Sequence, residues 1–339
     1  MSGPAPEDAF LASFVGAAAL RFALRAGLVD VLSRGAFDLH ELAAAARQEV
    51  GGVETLCGLL AAGGVVERRG ESVGLSAAFR AVLPRRHALE SKLAFLDLAA
   101  RDVLDHLPAM LFDSAAYVAS GRVFELFRYD LALEVTEANL AATRRWVDYT
   151  TALTEHEAPL LVPLLPIDDV SRLLDVGGNS GAFALALCAA VPGLSATVLD
   201  LPVVVELGRR HVAGHAAAER VAFVAADMRR DPWPAGHDAV CFKSVLHDWP
   251  LDDARHLLTR ARDSLPAGGR VLIVERGRFS PAAPLPFGTI ANLVFSRFYR
   301  APSVYAELLA ELGFVDIETG GIEIDMPFHV VSGRRAGRR

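Results

Sequence analysis

Sulfur is scarce in this chain. Its 339 residues include 3 cysteines and 4 methionines, and Cys57, Cys188 and Cys241 show no metal-ligand spacing. So few thiols exclude a disulfide framework, and reduced core cysteines of a cytosolic protein are expected. Positive charge is also in deficit, with 34 Lys and Arg against 41 Asp and Glu for a net charge of −7. No basic face stands out before Arg334, Arg335, Arg338 and Arg339, which argues against nucleic acid as a substrate and leaves that end as a solvated tail. Long apolar runs are missing too. Residues 9 to 32 are interrupted by Arg21, Arg25 and Asp30, no stretch spans a bilayer without charge, and the N-terminus lacks a basic leader region. A cytoplasmic protein without leader or membrane anchor is expected.

What is present organises around RLLDVGGNSG, residues 172 to 181. Leu173, Leu174 and Val176 form a short apolar run, the glycines turn the chain, and Phe183, Ala184, Leu187 and Val191 recur at helical spacing. Strand, tight turn and helix start make a loop that cradles a ligand against a helix N-terminus. A dinucleotide fingerprint fits poorly, because the register from Gly177 puts Asn179 and Ala182 where two further glycines belong. The pattern D-x-G-x-N-x-G from Asp175 fits the acid-glycine loop of enzymes that use S-adenosylmethionine (SAM). The next apolar run ends in Asp200, which can take ribose hydroxyls, and a third ends in Asp227 and Met228, suited to an adenine amino group and ring. Taken singly, each acid is as well explained as a solvated strand end or helix cap.

LLDVGGNSG, LDLPVVVE, DMRRDPWP, FKSVLHDWP and PAGGRVLIVER occur in order between Leu173 and Arg276. Together they resemble the signatures of SAM-dependent small-molecule O-methyltransferases of the caffeate/isoflavone and bacterial polyketide type. The resemblance implies a Rossmann-like class I methyltransferase domain over residues 166–339, preceded by a winged-helix dimerisation domain at 1–86 and a helical, substrate-lining region at 87–165. It also implies a homodimer, SAM as cofactor, contacts to it from Asp175, Gly177, Gly178, Asp200, Leu201, Asp227, Met228 and Lys243, and a small aromatic acceptor.

Residues 9 to 33 alternate apolar and polar positions at helical period, and the N-terminal pattern as a whole agrees with helix, turn, helix and hairpin. Asp38 and Glu41 form a capping box, a helix follows from Val53 to Ala62, and Val65 to Glu67 with Ser72 to Leu75 bracket a turn. As a DNA reader the module is poorly equipped, since the helix from Val53 to Ala62 carries Glu54 and no Lys or Arg. Residues 89 to 165 read as mostly helical. Phe124, Phe127, Tyr129, Trp146 and Tyr149 could wall a flat pocket, although most of these rings read as core. Downstream, seven apolar runs predict a mostly parallel sheet whose last strand returns as a hairpin.

The strand from Ala239 runs out into His247, Asp248, Trp249 and Pro250, delivering the imidazole to the sheet edge that holds the glycine loop. A lone histidine there is more often a cap or core residue, but KSVLHDW matches the family's catalytic segment. His247 is thus the expected general base for taking a hydroxyl proton, with Glu275 at the next strand end as its orienter. Where many relatives carry a Glu-Arg-Thr segment with a second carboxylate on that histidine, this chain has Tyr299-Arg300-Ala301. With Trp146, Tyr149 and Asp248, Tyr299 is an expected acceptor-lining residue. The missing acid keeps C-methylation or a SAM-bound reaction without methyl transfer open. A metal-assisted variant lacks a third ligand, since no histidine occurs from Arg276 to Glu323.

Overall fold

The computed structural model describes residues 5–278 and 293–337, so Arg338 and Arg339 lie outside the described residues. Among those described, residues 5–97 form one compact unit and residues 98–278 with 293–337 another. The expected boundary at 86/87 falls at the first residue of the helix Arg86–Phe112, whereas the division falls inside it, and residues 98–165 group with the large sheet.

In the first unit the helices Phe14–Arg25 and Leu28–Ser33 meet at Gly27, whose φ of 73° breaks the single long periodicity of residues 9 to 33. Strand β1 (Phe37–Asp38) leads into the helix Leu39–Ala46 through the Asp38/Glu41 capping box. The helix Val50–Ala62 is followed by β2 (Val66–Arg69) and β3 (Ser72–Leu75), and the three strands lie in the order β1-β3-β2. Helix, turn, helix and wing are therefore all present in this unit.

The second unit is built on β4 (Arg172–Val176), β5 (Ser195–Asp200), β6 (Val221–Ala225), β7 (Ala239–Lys243), β8 (Arg270–Arg276), β9 (Phe314–Glu323) and β10 (Pro327–Arg335). Their order is β6-β5-β4-β7-β8-β10-β9, with β4 to β8 pairing in parallel and β10 inserted antiparallel between β8 and β9. Strand order reverses at β4, so the crevice for a ligand opens at the carboxyl ends of β4 and its neighbours.

Parallel strands with both faces covered should read as continuous apolar runs, and β8 does. Leu272 and Val274 enter the core with Leu173, Phe183 and Phe328, while Val271 and Ile273 enter the opposite core with Leu257, Leu258 and Tyr305. Such burial contributes about 1.5–3 kcal/mol per large side chain. It fixes the strand ends on which the polar residues stand. Among the described residues no helix is long and apolar enough to cross a membrane.

Candidate active site

β4 ends in Asp175 and Val176, and the chain turns at Gly177 with a φ of 69°. A Cβ at Gly177 would come within 2.9 Å of Val245 Cγ2, so backbone alone fits there. Asn179 continues in the left-handed region at φ 55° and donates through Nδ2 to Thr150 Oγ1 at 2.9 Å. Thr151 Oγ1 donates to Ser180 Oγ at 2.7 Å. The loop is thereby tied to the helix Glu137–Leu161 before the helix Ala182–Ala190 begins.

Asp175 is fully buried, and neither of its oxygens has a hydrogen-bond partner among the described residues. Burial, and then the charge of Asp200, push its pKa up to about 7 against the opposing pull of Lys243. A buried carboxylate without a donor is costly unless something else faces it. Asp200 accepts the backbone N–H groups of Asn179 at 2.8 Å and Leu201 at 2.7 Å. Burial nevertheless raises its pKa to about 6. An orphaned acid, a loop open to close approach and a second acid at the adjoining strand end fit the cationic and ribose parts of SAM.

Asp227 and Met228 follow at the end of β6, but the Asp227 carboxylate is already bonded to the Arg229 guanidinium, at 3.1 and 3.2 Å. Burial raises its pKa, yet those bonds outweigh it and hold the group below its ordinary value. Any adenine contact there would have to share the carboxylate with Arg229. Lys243, at the end of β7, donates to Glu157 Oε2 at 2.5 Å and Thr154 Oγ1 at 2.9 Å. Its ammonium thus faces a helix carboxylate while still lining the cavity.

His247 sits on the short turn Leu246–Asp248 beyond β7. Its Nδ1 lies 2.5 Å from Glu275 Oε2, and Glu275 Oε1 accepts the backbone N–H groups of Val245 at 2.9 Å and Leu246 at 2.7 Å. A single fully buried carboxylate therefore holds both the imidazole and the turn that carries it. Burial raises the pKa of Glu275, but His247 and the two N–H donors outweigh it and the net direction is down. For His247 burial acts to lower the pKa, and the charges of Glu275 and Asp248 reverse that to a net rise.

The other ring nitrogen, Nε2, lies 3.3 Å from Asp248 Oδ1, and Asp248 Oδ2 accepts the Tyr129 hydroxyl at 2.9 Å. Tyr299 packs its ring edge against His247 with centroids 5.3 Å apart. The second carboxylate on the imidazole is thus the next residue in the chain, Asp248.

One cavity of about 680 Å³ joins these parts, running from Asp175 and Asp200 to His247, Asp248 and Tyr299. Phe124, Phe127, Tyr129, Trp146 and Tyr149 all line it, so the reading of most of these rings as core is corrected. They are buried or half-buried because they wall a hollow. Phe124 and Phe127 stack edge-on to Phe295, and Phe124 does the same to Phe298.

Sequence reasoning missed Glu157 and Arg276. Arg276 donates to Glu157 Oε1 and, at 2.7 Å, to Ser244 Oγ, and its guanidinium lies over the Phe328 ring at 4.9 Å. The available signal was an acid at position 157 on the apolar stripe formed by Leu153, Leu160 and Leu161 of a helix. Among the described residues no cluster of three His, Cys, Asp or Glu could hold a metal ion.

A seven-stranded sheet whose order reverses at β4, with β10 antiparallel between β8 and β9 and an acid-glycine loop at the strand ends, is the class I methyltransferase fold. The profile of the O-methyltransferase domain family matches residues 123–314, and the chain belongs to that family. It is 43% identical over 115 residues to the 3-hydroxy-5-methyl-1-naphthoate 3-O-methyltransferase of Streptomyces sahachiroi, covering 34% of this chain and 33% of that protein. It is 34% identical over 113 residues to the L-tyrosine C(3)-methyltransferase of Streptomyces lavendulae, covering 33% of this chain and 31% of that protein. The chain thus spans about a third of the length of these two curated relatives. An O-methyltransferase from neocarzinostatin biosynthesis, solved with SAM and 2-hydroxy-5-methyl naphthoic acid, shares the fold with a TM-score of 0.70 at 23% identity, over 96% of this chain and 97% of that one.

Proposed function

We propose that this chain is a SAM-dependent O-methyltransferase acting on a hydroxyl, most simply a phenolic one, of a small secondary metabolite. The observation that carries the reading is the His247–Glu275 pair at 2.5 Å, opening on the same cavity as Asp175 and Asp200. When bound, SAM supplies an electrophilic methyl group on sulfonium together with its leaving group. The chain's own residues then have to hold the acceptor oxygen in line and take its proton.

Asp175 and Asp200, with the backbone at Gly177, Gly178 and Leu201, would hold the cofactor. Met228 and Lys243 border the same space, and Asp227 would share its carboxylate with Arg229. Glu275 accepts from Nδ1 and so leaves the lone pair of His247 on Nε2, the nitrogen that takes the hydroxyl proton. The imidazolium formed by that transfer lies between Glu275 and Asp248. Two carboxylates stabilise it although Tyr299 occupies the place of the family's second acid. Trp146, Tyr149 and Tyr299 would line the acceptor and keep water from the transferring group.

The same base would also activate a phenol for methylation at its ring carbon, the chemistry named for the Streptomyces lavendulae relative. The uncharged Tyr299 beside His247 is the observation that keeps this second reading in play.

The test compares wild type with His247→Ala, measuring SAM affinity by calorimetry and S-adenosylhomocysteine formation across a panel of phenols, with product NMR to locate the methyl group. Retained SAM binding with turnover reduced about 100-fold or more is expected for loss of a general base. A wild type that binds SAM and never consumes it, or a variant that turns over normally, overturns the assignment. A methyl group on ring carbon would select the second reading.

A further inference from the structure

His247 stands on a turn too short to hold itself. Leu246–Asp248 is a single turn of 3-10 helix, and so brief a helix leaves its end groups to outside partners. Glu275 takes the N–H groups at its start, from Val245 and Leu246. Two carbonyls, one in the turn and one just past it, are held by a different group. Arg300 Nη1 donates to the Leu246 carbonyl at 2.7 Å, and its Nη2 donates to the Trp249 carbonyl. An anion thus satisfies the donors of the turn and a cation its acceptors, the signs that the peptide dipoles favour.

Arg300 is delivered by the helix Pro302–Glu311, whose Tyr305, Leu308 and Leu309 share a core with Val245 and Leu246. Its guanidinium also acts on the Tyr305 hydroxyl. The residue is half-buried and does not line the cavity, so it is not placed to touch cofactor or acceptor. Other neighbours reach the turn through side chains. Asp248, Arg276 and Tyr299 act on the His247 ring, Tyr129 donates to Asp248, and the Arg229 guanidinium lies over the Trp249 ring at 4.3 Å. Glu275 and Arg300 bond the backbone itself, and a rigid fork with two donors fixes direction as well as distance.

We infer that Arg300 is a positioning residue for the methyl transfer: by holding the Leu246 and Trp249 carbonyls it fixes the turn against Glu275 and so aims His247 Nε2 at the acceptor oxygen. The inference rests on His247 being the base. Without the fork the turn can rock about Glu275, and a displacement of about 1 Å at the reacting atoms can cost about 100-fold in rate. A lysine keeps the charge but, as a flexible point donor, does not reproduce the paired geometry.

The test uses Arg300→Ala and Arg300→Lys in the full chain. In both, kcat should fall about 10- to 100-fold while acceptor KM and SAM affinity stay within about threefold. Guanidinium chloride well below denaturing concentration should restore part of the kcat of Arg300→Ala, and ammonium chloride should not. In a His247→Ala background, Arg300→Ala should change turnover less than about threefold, because the group it aims is gone. A further readout needs no turnover. The far-downfield proton resonance of His247 Nδ1–H on Glu275, at 2.5 Å, is assigned by its loss in His247→Ala and should move or broaden in both Arg300 variants. A residue serving the fold alone would lower the melting temperature and leave kcat and this resonance unchanged. That result, an additive loss in the His247→Ala background, or variants that neither fold nor bind SAM would overturn the inference. Normal turnover by His247→Ala would instead overturn the base reading, whatever the Arg300 variants do.

Discussion

Replacing Glu275 by Gln changes one heavy atom and one of three interactions. The wild-type carboxylate accepts the N–H groups of Val245 and Leu246 through Oε1 and faces His247 Nδ1 through Oε2, at 2.9, 2.7 and 2.5 Å. A glutamine carbonyl can keep the two backbone donors, which holds the turn Leu246–Asp248 in place. Its amide then points N–H at Nδ1, so the imidazole must carry its proton on Nε2 and can no longer accept one there. A wrong tautomer in a Ser-His-Asp site lowers kcat by about 10⁴, and loss of general-base help alone costs about 10²–10⁴. Turnover should therefore fall by about 10²–10⁴, with SAM affinity changed less than about threefold. Losing the carboxylate charge also lowers the His247 pKa. In wild type, kcat/KM should rise with pH through a limb above the ordinary histidine value of ~6.5, because Glu275 and Asp248 together outweigh burial. In the variant, residual activity should show that limb shifted to lower pH. Stopped-time assays of S-adenosylhomocysteine across pH 5–9 would measure both. Turnover within about threefold of wild type, or an unmoved limb, would refute the orienting role and the tautomer argument with it.

Three further outcomes are expected. Asp175 has its folded pKa raised to about 7 against ~3.9 for a free Asp. It therefore favours the fold fully below about 3.9 and loses that contribution as pH rises through about 7. A cationic ligand reverses this preference by drawing out the ionised form, so SAM binding near pH 6.5 should release protons, seen as calorimetric heats that vary with buffer ionisation enthalpy and vanish in Asp175→Asn. Gly178→Ala would set a Cβ 2.5 Å from Asp175 Oδ2, and SAM affinity should drop at least about tenfold; near-normal affinity would contradict the close approach. We also propose the homodimer that the resemblance implies, with Phe14 and Phe22 exposed on the helix Phe14–Arg25 as apolar surface compatible with it. Sedimentation equilibrium should return twice the 36.2 kDa chain mass, and Phe14→Asp with Phe22→Asp should lower it.

Much of the large sheet was legible because β-branched and leucine runs between glycines and acids are a local property. β4 spans Arg172 to Val176, the run expected, and β9 to β10 return as a hairpin in the manner foreseen. His247 and Glu275 were within reach of sequence reasoning because neighbouring parallel strands end at one edge. Glu157 was not, since its partners Lys243 and Arg276 lie 86 and 119 residues away. No periodicity encodes such a meeting. The tie between Asp227 and Arg229 was overlooked for the opposite reason, as two residues' separation at a strand end looks like solvated loop chemistry. The long helical pattern over residues 9 to 33 hid a break because one glycine at 27, free to adopt positive φ, outweighs the apolar spacing on either side.

The last two residues of β8 have a consequence for how the chain can be altered. Side chains alternate along a strand, so adjacent Glu275 and Arg276 serve opposite faces, one toward His247 and the other toward Glu157 and Phe328. The run before them, Val271 to Val274, is buried on both sides and chemically uniform. A slip of one position along β10 would set Glu275 at the place of Val274 in an apolar core, a buried carboxylate without its partners. It would also invert the polar ends, turning the acid away from the imidazole and the guanidinium away from its carboxylate. Pairing of Glu275 with His329 and Arg276 with Phe328 thus acts as a reading frame for the chemistry. Deleting one residue from the turn before Arg270 should therefore lower stability and scramble the reaction centre together, a frameshift written in space.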